Sequence, residues 1–95
     1  MIVEFTARHF QAPTNLREYA ENEVQKIKKV FHRATQCQVI LIQEKQGFTT
    51  ELNVSIPNRK LNVKETTDNV TKSIDRAVDT MIQRVSKIKE KRNRF

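Results

Sequence analysis

The residues with the clearest chemical potential are cations. From Arg84 to Arg94 the chain carries Arg84, Lys87, Lys89, Lys91, Arg92 and Arg94 against a single Glu90, and from Lys26 to Arg33 it carries Lys26, Lys28, Lys29 and Arg33 with no carboxylate. Guanidinium and ammonium groups in such clusters neutralise phosphates and release condensed counterions; engaging about five to eight phosphates predicts a log–log salt slope of roughly −4 to −7. A run of charge is ordinarily a solvated helix face, and that reading suits Lys60 and Lys64 taken singly. The helix macrodipole accounts for only one or two cations near a C-terminus, at ~0.3–1 kcal/mol each, so the two clusters exceed what folding needs. Over the whole chain 18 Lys and Arg stand against 11 Asp and Glu, a net charge of +7 with a pI near 9.9, which points to an anionic partner.

Other chemistries find no constellation. His9 and His32 are far apart and neither sits at a metal-ligand spacing. Cys37 follows a turn with no base placed beside it, so it reads as a small, half-buried hydrophobe, and one cysteine excludes an internal disulfide. A single glycine leaves no phosphate-binding loop. The helical carboxylates stand mostly at helical spacing from basic residues, Lys72 with Asp75 and Arg76 with Asp79, which makes surface pairing their default. The expectation is a binding protein and not an enzyme, with no cofactor and no metal.

The elements that position the cations follow from periodicity. The last third, Asp68 to Arg94, is one long amphipathic helix whose stripe is Val70, Ile74, Ala77, Val78, Met81, Val85 and Ile88. Its front half is acidic, with Asp68, Asp75 and Asp79 against Lys72 and Arg76; its back half is the cationic cluster. Asp68 is the expected cap, with Thr66 or Thr67 as alternatives. An earlier helix runs from about Thr14 to Phe31 behind Pro13, with Leu16, Tyr19 or Ala20, Val24, Ile27 and Phe31 on one face. It is graded in the same sense, Glu18, Glu21 and Glu23 preceding the Lys26–Arg33 cations.

Strands fill the rest. Met1 to Ala7 alternates, and Val39-Ile40-Leu41-Ile42 is an apolar run, read as a central strand covered on both faces or as an edge buried by a helix end. Glu44 to Gly47 marks a hairpin; Phe48, Thr50, Leu52, Val54 and Ile56 point one way from the next strand; Pro57-Asn58-Arg59 turns into a fourth, with Leu61 and Val63 inward. The order is β-α-β-β-β-α, an α+β fold with both helices on one face of a four-stranded sheet. No apolar run reaches the ~18 residues of a membrane span and no signal-peptide pattern opens the chain, so a cytoplasmic location without membrane contact is expected.

Several motifs in this order resemble one family. Asn15-Leu16-Arg17-Glu18-Tyr19 opening a helix, Lys26-Ile27 leading to Phe31, the Val39–Ile42 strand, Asp68 followed by Ser73-Ile74-Asp75, and Lys87-Ile88-Lys89-Glu90-Lys91 are similar to the ribosome hibernation promoting factor and protein Y family, the ribosomal subunit interface proteins. Arg8-His9 also looks like the family's pair after the first strand. The likeness spans residues 1 to 92. It implies a fold akin to the double-stranded RNA-binding domain and binding to the small ribosomal subunit and its rRNA, in the channel where mRNA and tRNA anticodon ends lie, with translation blocked in stationary phase or stress. Position by position, the basic residues it carries over are Lys26, Lys87, Lys89 and Lys91; Lys28, Lys29, Arg33, Arg84 and Arg92 are added by charge.

The chain departs from the family at Asn69-Val70-Thr71-Lys72-Ser73, where Met-Tyr and two alanines are common, and at Pro13, which stands at the usual Thr cap and shifts capping to a neighbour. It is expected to be one ribosome-binding domain over 1–95, a short form without a C-terminal dimerisation domain and monomeric when free. In some short forms ribosome pairing depends on a separate ribosome modulation factor. The alternative reading is a general double-stranded RNA-binding module unconnected with ribosomes.

Overall fold

Alternation dictates the sheet. In a computed structural model, which describes residues 1–92, the elements are β1 (Ile2–Arg8), α1 (Thr14–Val30), β2 (Gln36–Glu44), β3 (Gly47–Ile56), β4 (Arg59–Thr67) and α2 (Val70–Arg92). The strands form one sheet in the order β1-β2-β3-β4, with β1 parallel to β2 and the other pairs antiparallel. The expected end of the last helix at Arg94 lies outside the described residues.

Both helices pack on one face. Cys37, Val39 and Leu41 of β2, Leu52 and Val54 of β3 and Leu61 and Val63 of β4 meet Ala20, Val24 and Ile27 of α1 and Ile74, Ala77, Val78, Met81 and Val85 of α2 in one core. The opposite face is open and polar. There the cross-strand neighbours Gln38, Asn53 and Asn62 join by amide hydrogen bonds: Asn53 Nδ2 donates to Gln38 Oε1 at 3.1 Å and Asn62 Nδ2 to Asn53 Oδ1 at 2.7 Å. The apolar run of β2 therefore marks a central strand that helices cover on one face only. Ile40, on the open face, is still 5 % exposed, with Thr6 and Glu51 directly beside it on the two neighbouring strands.

Two hairpins set the register. Pro57-Asn58 joins Ile56 to Arg59 with Asn58 at φ 71°, as a turn with Pro first and a left-handed residue second demands. Lys45-Gln46 joins β2 to β3 and is followed by Gly47 at φ 139°.

The helix starts differ from expectation by local chemistry. Asn69, not Asp68, caps α2: its Oδ1 accepts from the Lys72 N–H at 3.1 Å, and its own N–H donates to Thr67 Oγ1 at 3.2 Å. At α1, Pro13 is the capping residue and offers only its carbonyl, to the N–H groups of Leu16 and Arg17, with no neighbour's side chain taking over. Cys37 is fully buried within β2, beyond the half-burial expected of a residue after a turn.

One polar pair is buried in the core. Ser73 Oγ donates to the Val70 carbonyl at 2.7 Å and lies 2.7 Å from Thr50 Oγ1 across the helix–sheet boundary, and both residues are fully buried. Ser73→Ala removes the partner of the Thr50 hydroxyl and is expected to cost about 1–3 kcal/mol. Thr50→Val in the Ser73→Ala background replaces both hydroxyls and should recover part of that loss. Urea midpoints of the parent, single and double variants check both statements, and a double variant weaker than the single would contradict them.

Candidate nucleic-acid interface

Topology makes the two helices parallel, because each runs back antiparallel to the strand that precedes it. Two contacts fix the alignment. At the front, Tyr19 donates its hydroxyl to Asp75 Oδ1 at 2.5 Å; at the back, Lys89 Nζ donates to the Val30 carbonyl, the last residue of α1, at 3.3 Å. Both C-termini, each worth roughly half a negative charge, thus lie at one end of the molecule with both cationic clusters around them.

The predicted site residues divide by what their side chains touch. Lys29, Arg33, Lys87 and Lys91 are exposed, with no ion-pair partner among the described residues. Lys28 is half-buried and turned into the loop after α1, where its ammonium donates to the carbonyls of His32 and, at 3.1 Å, Ala34. Lys89 closes the end of α1, as described. Arg84 donates from Nη1 to the Asn62 carbonyl on β4 at 2.6 Å. Arg92 is the last residue of α2. Lys28, Arg84 and Lys89 therefore hold backbone carbonyls as well as adding positive charge.

Lys26 stands in other company. Its Nζ pairs with Glu23 at 2.8 Å, and that bond, the Glu23 charge and the nearby carboxylates of Asp75 and Asp79 hold its pKa above the ordinary lysine value. The front of the groove between the helices is thus an acidic patch, Glu23, Asp75 and Asp79, in which Lys26 is the counterion. Asp75 and Asp79, two like charges four residues apart on α2, thus have a cation of α1 near them.

At 3.6 residues per turn, Arg84, Lys87 and Lys91 share one flank of α2 within roughly 60°, while Lys89 falls on the opposite flank. The Arg84 bond identifies the first flank as the one facing β4, and the Lys89 bond identifies the second as the one facing α1. The helix-end cations therefore wrap around the end of α2 instead of filling only the groove beside α1.

Tyr19 carries a pH-dependent contribution. Its hydrogen bond to Asp75, with partial burial behind it, pushes the phenol from 10.0 up to about 12. The unfolded chain releases this proton near pH 10 and the folded chain holds it, so the contribution is complete below pH 10 and disappears as the pH rises to about 12. Tyr19→Phe is expected to be about 1 kcal/mol less stable than the parent at pH 7. Denaturant titrations should show the gap closing between pH 10 and 12; a gap of constant size would contradict the assignment.

The remaining candidates for chemistry are inert or scattered. Burial pushes the Cys37 thiol up to about 12. His9 sits at φ 69° with Nδ1 3.3 Å from the Gln43 carbonyl, remote in sequence from His32. Among the described residues no group of three or more His, Cys, Asp or Glu could hold a metal ion, and no helix is long and apolar enough to cross a membrane.

A four-stranded mixed sheet bearing two parallel helices, with a cationic end where the helices finish, defines the class: a β-α-β-β-β-α protein with a surface suited to polyanions. The chain belongs to the Sigma 54 modulation protein / S30EA ribosomal protein family, whose sequence model matches residues 3–93. Solved structures share the fold. The N-terminal domain of Protein Y from Thermus thermophilus matches with a TM-score of 0.85 at 21% identity, covering 93% of this chain and 99% of that one. A ribosomal subunit interface protein from Coxiella burnetii matches with a TM-score of 0.88 at 21% identity, covering 95% and 99%. No curated protein matches the sequence.

Proposed function

We propose that the protein binds the small ribosomal subunit, laying the cationic end of its helix pair on rRNA phosphates in the channel for mRNA and tRNA anticodon ends, and so blocks translation in stationary phase or stress. The observation that carries this reading is the parallel helix pair, which brings Lys29, Arg33, Lys87 and Lys91 to one end of the molecule, exposed and without carboxylate partners among the described residues. The ribosome figures both in the family's name, as S30EA ribosomal protein, and in that of the Coxiella burnetii structure, a ribosomal subunit interface protein. The protein acts by occupying space, without catalysis. Among the described residues the open sheet face has no aromatic platform, which argues against base stacking and for recognition of phosphates and shape.

Co-sedimentation with purified small subunits in a sucrose gradient tests the proposal, and failure to co-migrate overturns it. A competition arm tests the alternative: if free duplex RNA displaces the protein as well as small subunits do, the protein is a general double-stranded RNA binder.

A further inference from the structure

We propose that the phosphate-binding surface does not end on the helices but continues around the β4 edge onto the open face of the sheet, where Lys60 and Lys64 engage further phosphates of the same RNA. This rests on the proposed ribosome-binding function and assigns it a third structural element. Two contacts place α2 along β4: Thr80 Oγ1 donates to Glu65 Oε2 at 3.1 Å, and Arg84 Nη1 donates to the Asn62 carbonyl at 2.6 Å. The helix therefore runs antiparallel to the strand. Advancing at about 1.5 Å per residue against about 3.4 Å, it brings Lys87 level with Leu61, the neighbour of Lys60, and Lys91 level with Arg59. Arg59, Lys60, Lys64, Arg84, Lys87 and Lys91 thus form a continuous strip from the outer flank of α2 across the sheet edge.

The carboxylates on the strand side of this strip bond to other partners. Glu51, directly opposite Lys64 in the register, accepts from Asn62 Nδ2 at 2.7 Å, and Glu65 accepts from Thr80; neither forms an ion pair with a lysine among the described residues. Edge strands often carry lysines to deter strand pairing. That need does not account for these, because β1, the other edge, has no lysine, balances its one cation, Arg8, against Glu4 and leaves Ile2 69 % exposed. The two edges face the same hazard, and only the one beside the cationic flank of α2 carries a net positive charge.

Lys60→Glu/Lys64→Glu tests the strip against Lys45→Glu/Lys72→Glu, which makes the same change in net charge at the opposite end of the molecule, with all four lysines exposed. Binding to purified small subunits is measured over a salt series. The strip predicts weaker binding by K60E/K64E and a log–log slope shallower by about 2, with K45E/K72E close to the parent. Equal slopes for the two double variants would overturn the inference. If the parent does not bind small subunits, the functional reading falls with it. If the parent binds and reversal of Lys29, Lys87 and Lys91 weakens it while K60E/K64E matches K45E/K72E, only the strip falls.

Discussion

Reversing Lys29, Lys87 and Lys91 to Glu is expected to lower affinity for the small ribosomal subunit by several hundredfold at about 0.1 M salt and to flatten the log–log salt dependence by about 3. The magnitude follows from counterion release, in which each phosphate contact contributes roughly 0.9 to the slope, so that a contact is worth about eightfold in affinity at 0.1 M relative to 1 M salt. Three contacts compound to about five hundredfold, and the introduced carboxylates add repulsion. These residues are chosen because their ammonium groups stand exposed and serve no structural contact among the described residues. Lys89 is left in place, since it bonds the last carbonyl of α1 and its loss would mix helix-end destabilisation with lost binding. Lys28 is spared for the same reason. Sedimentation or filter binding across a salt series is the measurement. A triple variant with the parent's slope would mean that the helix ends do not touch phosphate.

Residues whose partners are local were largely legible in the sequence; those whose partners are distant were not. The alternation of Phe48, Thr50, Leu52, Val54 and Ile56 is a local geometric consequence of the pleat, and the strand obeys it. The stripe of α2 follows from 3.6 residues per turn, and Ile74, Ala77, Val78, Met81 and Val85 are all buried. The capping residue of α2 differs by one position because Asp68 and Asn69 both carry a suitable side-chain oxygen, and the strand's last pairing at Thr67 decides which stands at the helix start. Pairs such as Tyr19 with Asp75, or Lys89 with Val30, lie more than fifty residues apart in sequence and exist only because two helices share one face.

The candidate interface shows the same division. Both cationic clusters are visible as runs of Lys and Arg, and the β-α-β-β-β-α order already implies that the helix ends coincide. Which flank of α2 each cation occupies depends on knowing that β4 is an edge and that α2 runs beside it. The i, i+3, i+7 spacing of Arg84, Lys87 and Lys91 puts them on a common flank, but only the Arg84 bond to Asn62 names β4 as its neighbour. Lys26 illustrates the converse: placed in the sequence among cations, it lies in space among Glu23, Asp75 and Asp79.

Gly47→Ala is expected to be the most damaging single substitution outside the apolar core. The backbone there has φ +139°, which an L side chain rarely adopts, and a Cβ would lie 2.3 Å from the Thr67 carbonyl oxygen and 3.1 Å from Asp68 Cα. Neither obstacle is a flexible side-chain tip. Thr67 is the last residue of β4, held in register opposite Phe48, and its hydroxyl accepts from the N–H of Asn69, the residue that caps α2. Relieving the clash therefore requires either opening the first turn of β3 or displacing the β4–α2 junction, and the second loosens the N-terminus of the helix that carries most of the cationic surface. Backbone strain of about 1–3 kcal/mol together with the steric conflict gives about 3–5 kcal/mol. For a domain of this size each kcal/mol lowers Tm by roughly 4–8 °C, so a fall of about 15–30 °C is the expected result of a thermal melt followed by circular dichroism. Gln46→Ala, at the exposed preceding turn position, should melt close to the parent and serves as the control. A Gly47→Ala melt within about 5 °C of the parent would mean that the hairpin shifts away from Thr67 at little cost, and the coupling between this turn and the start of α2 would be lost with it.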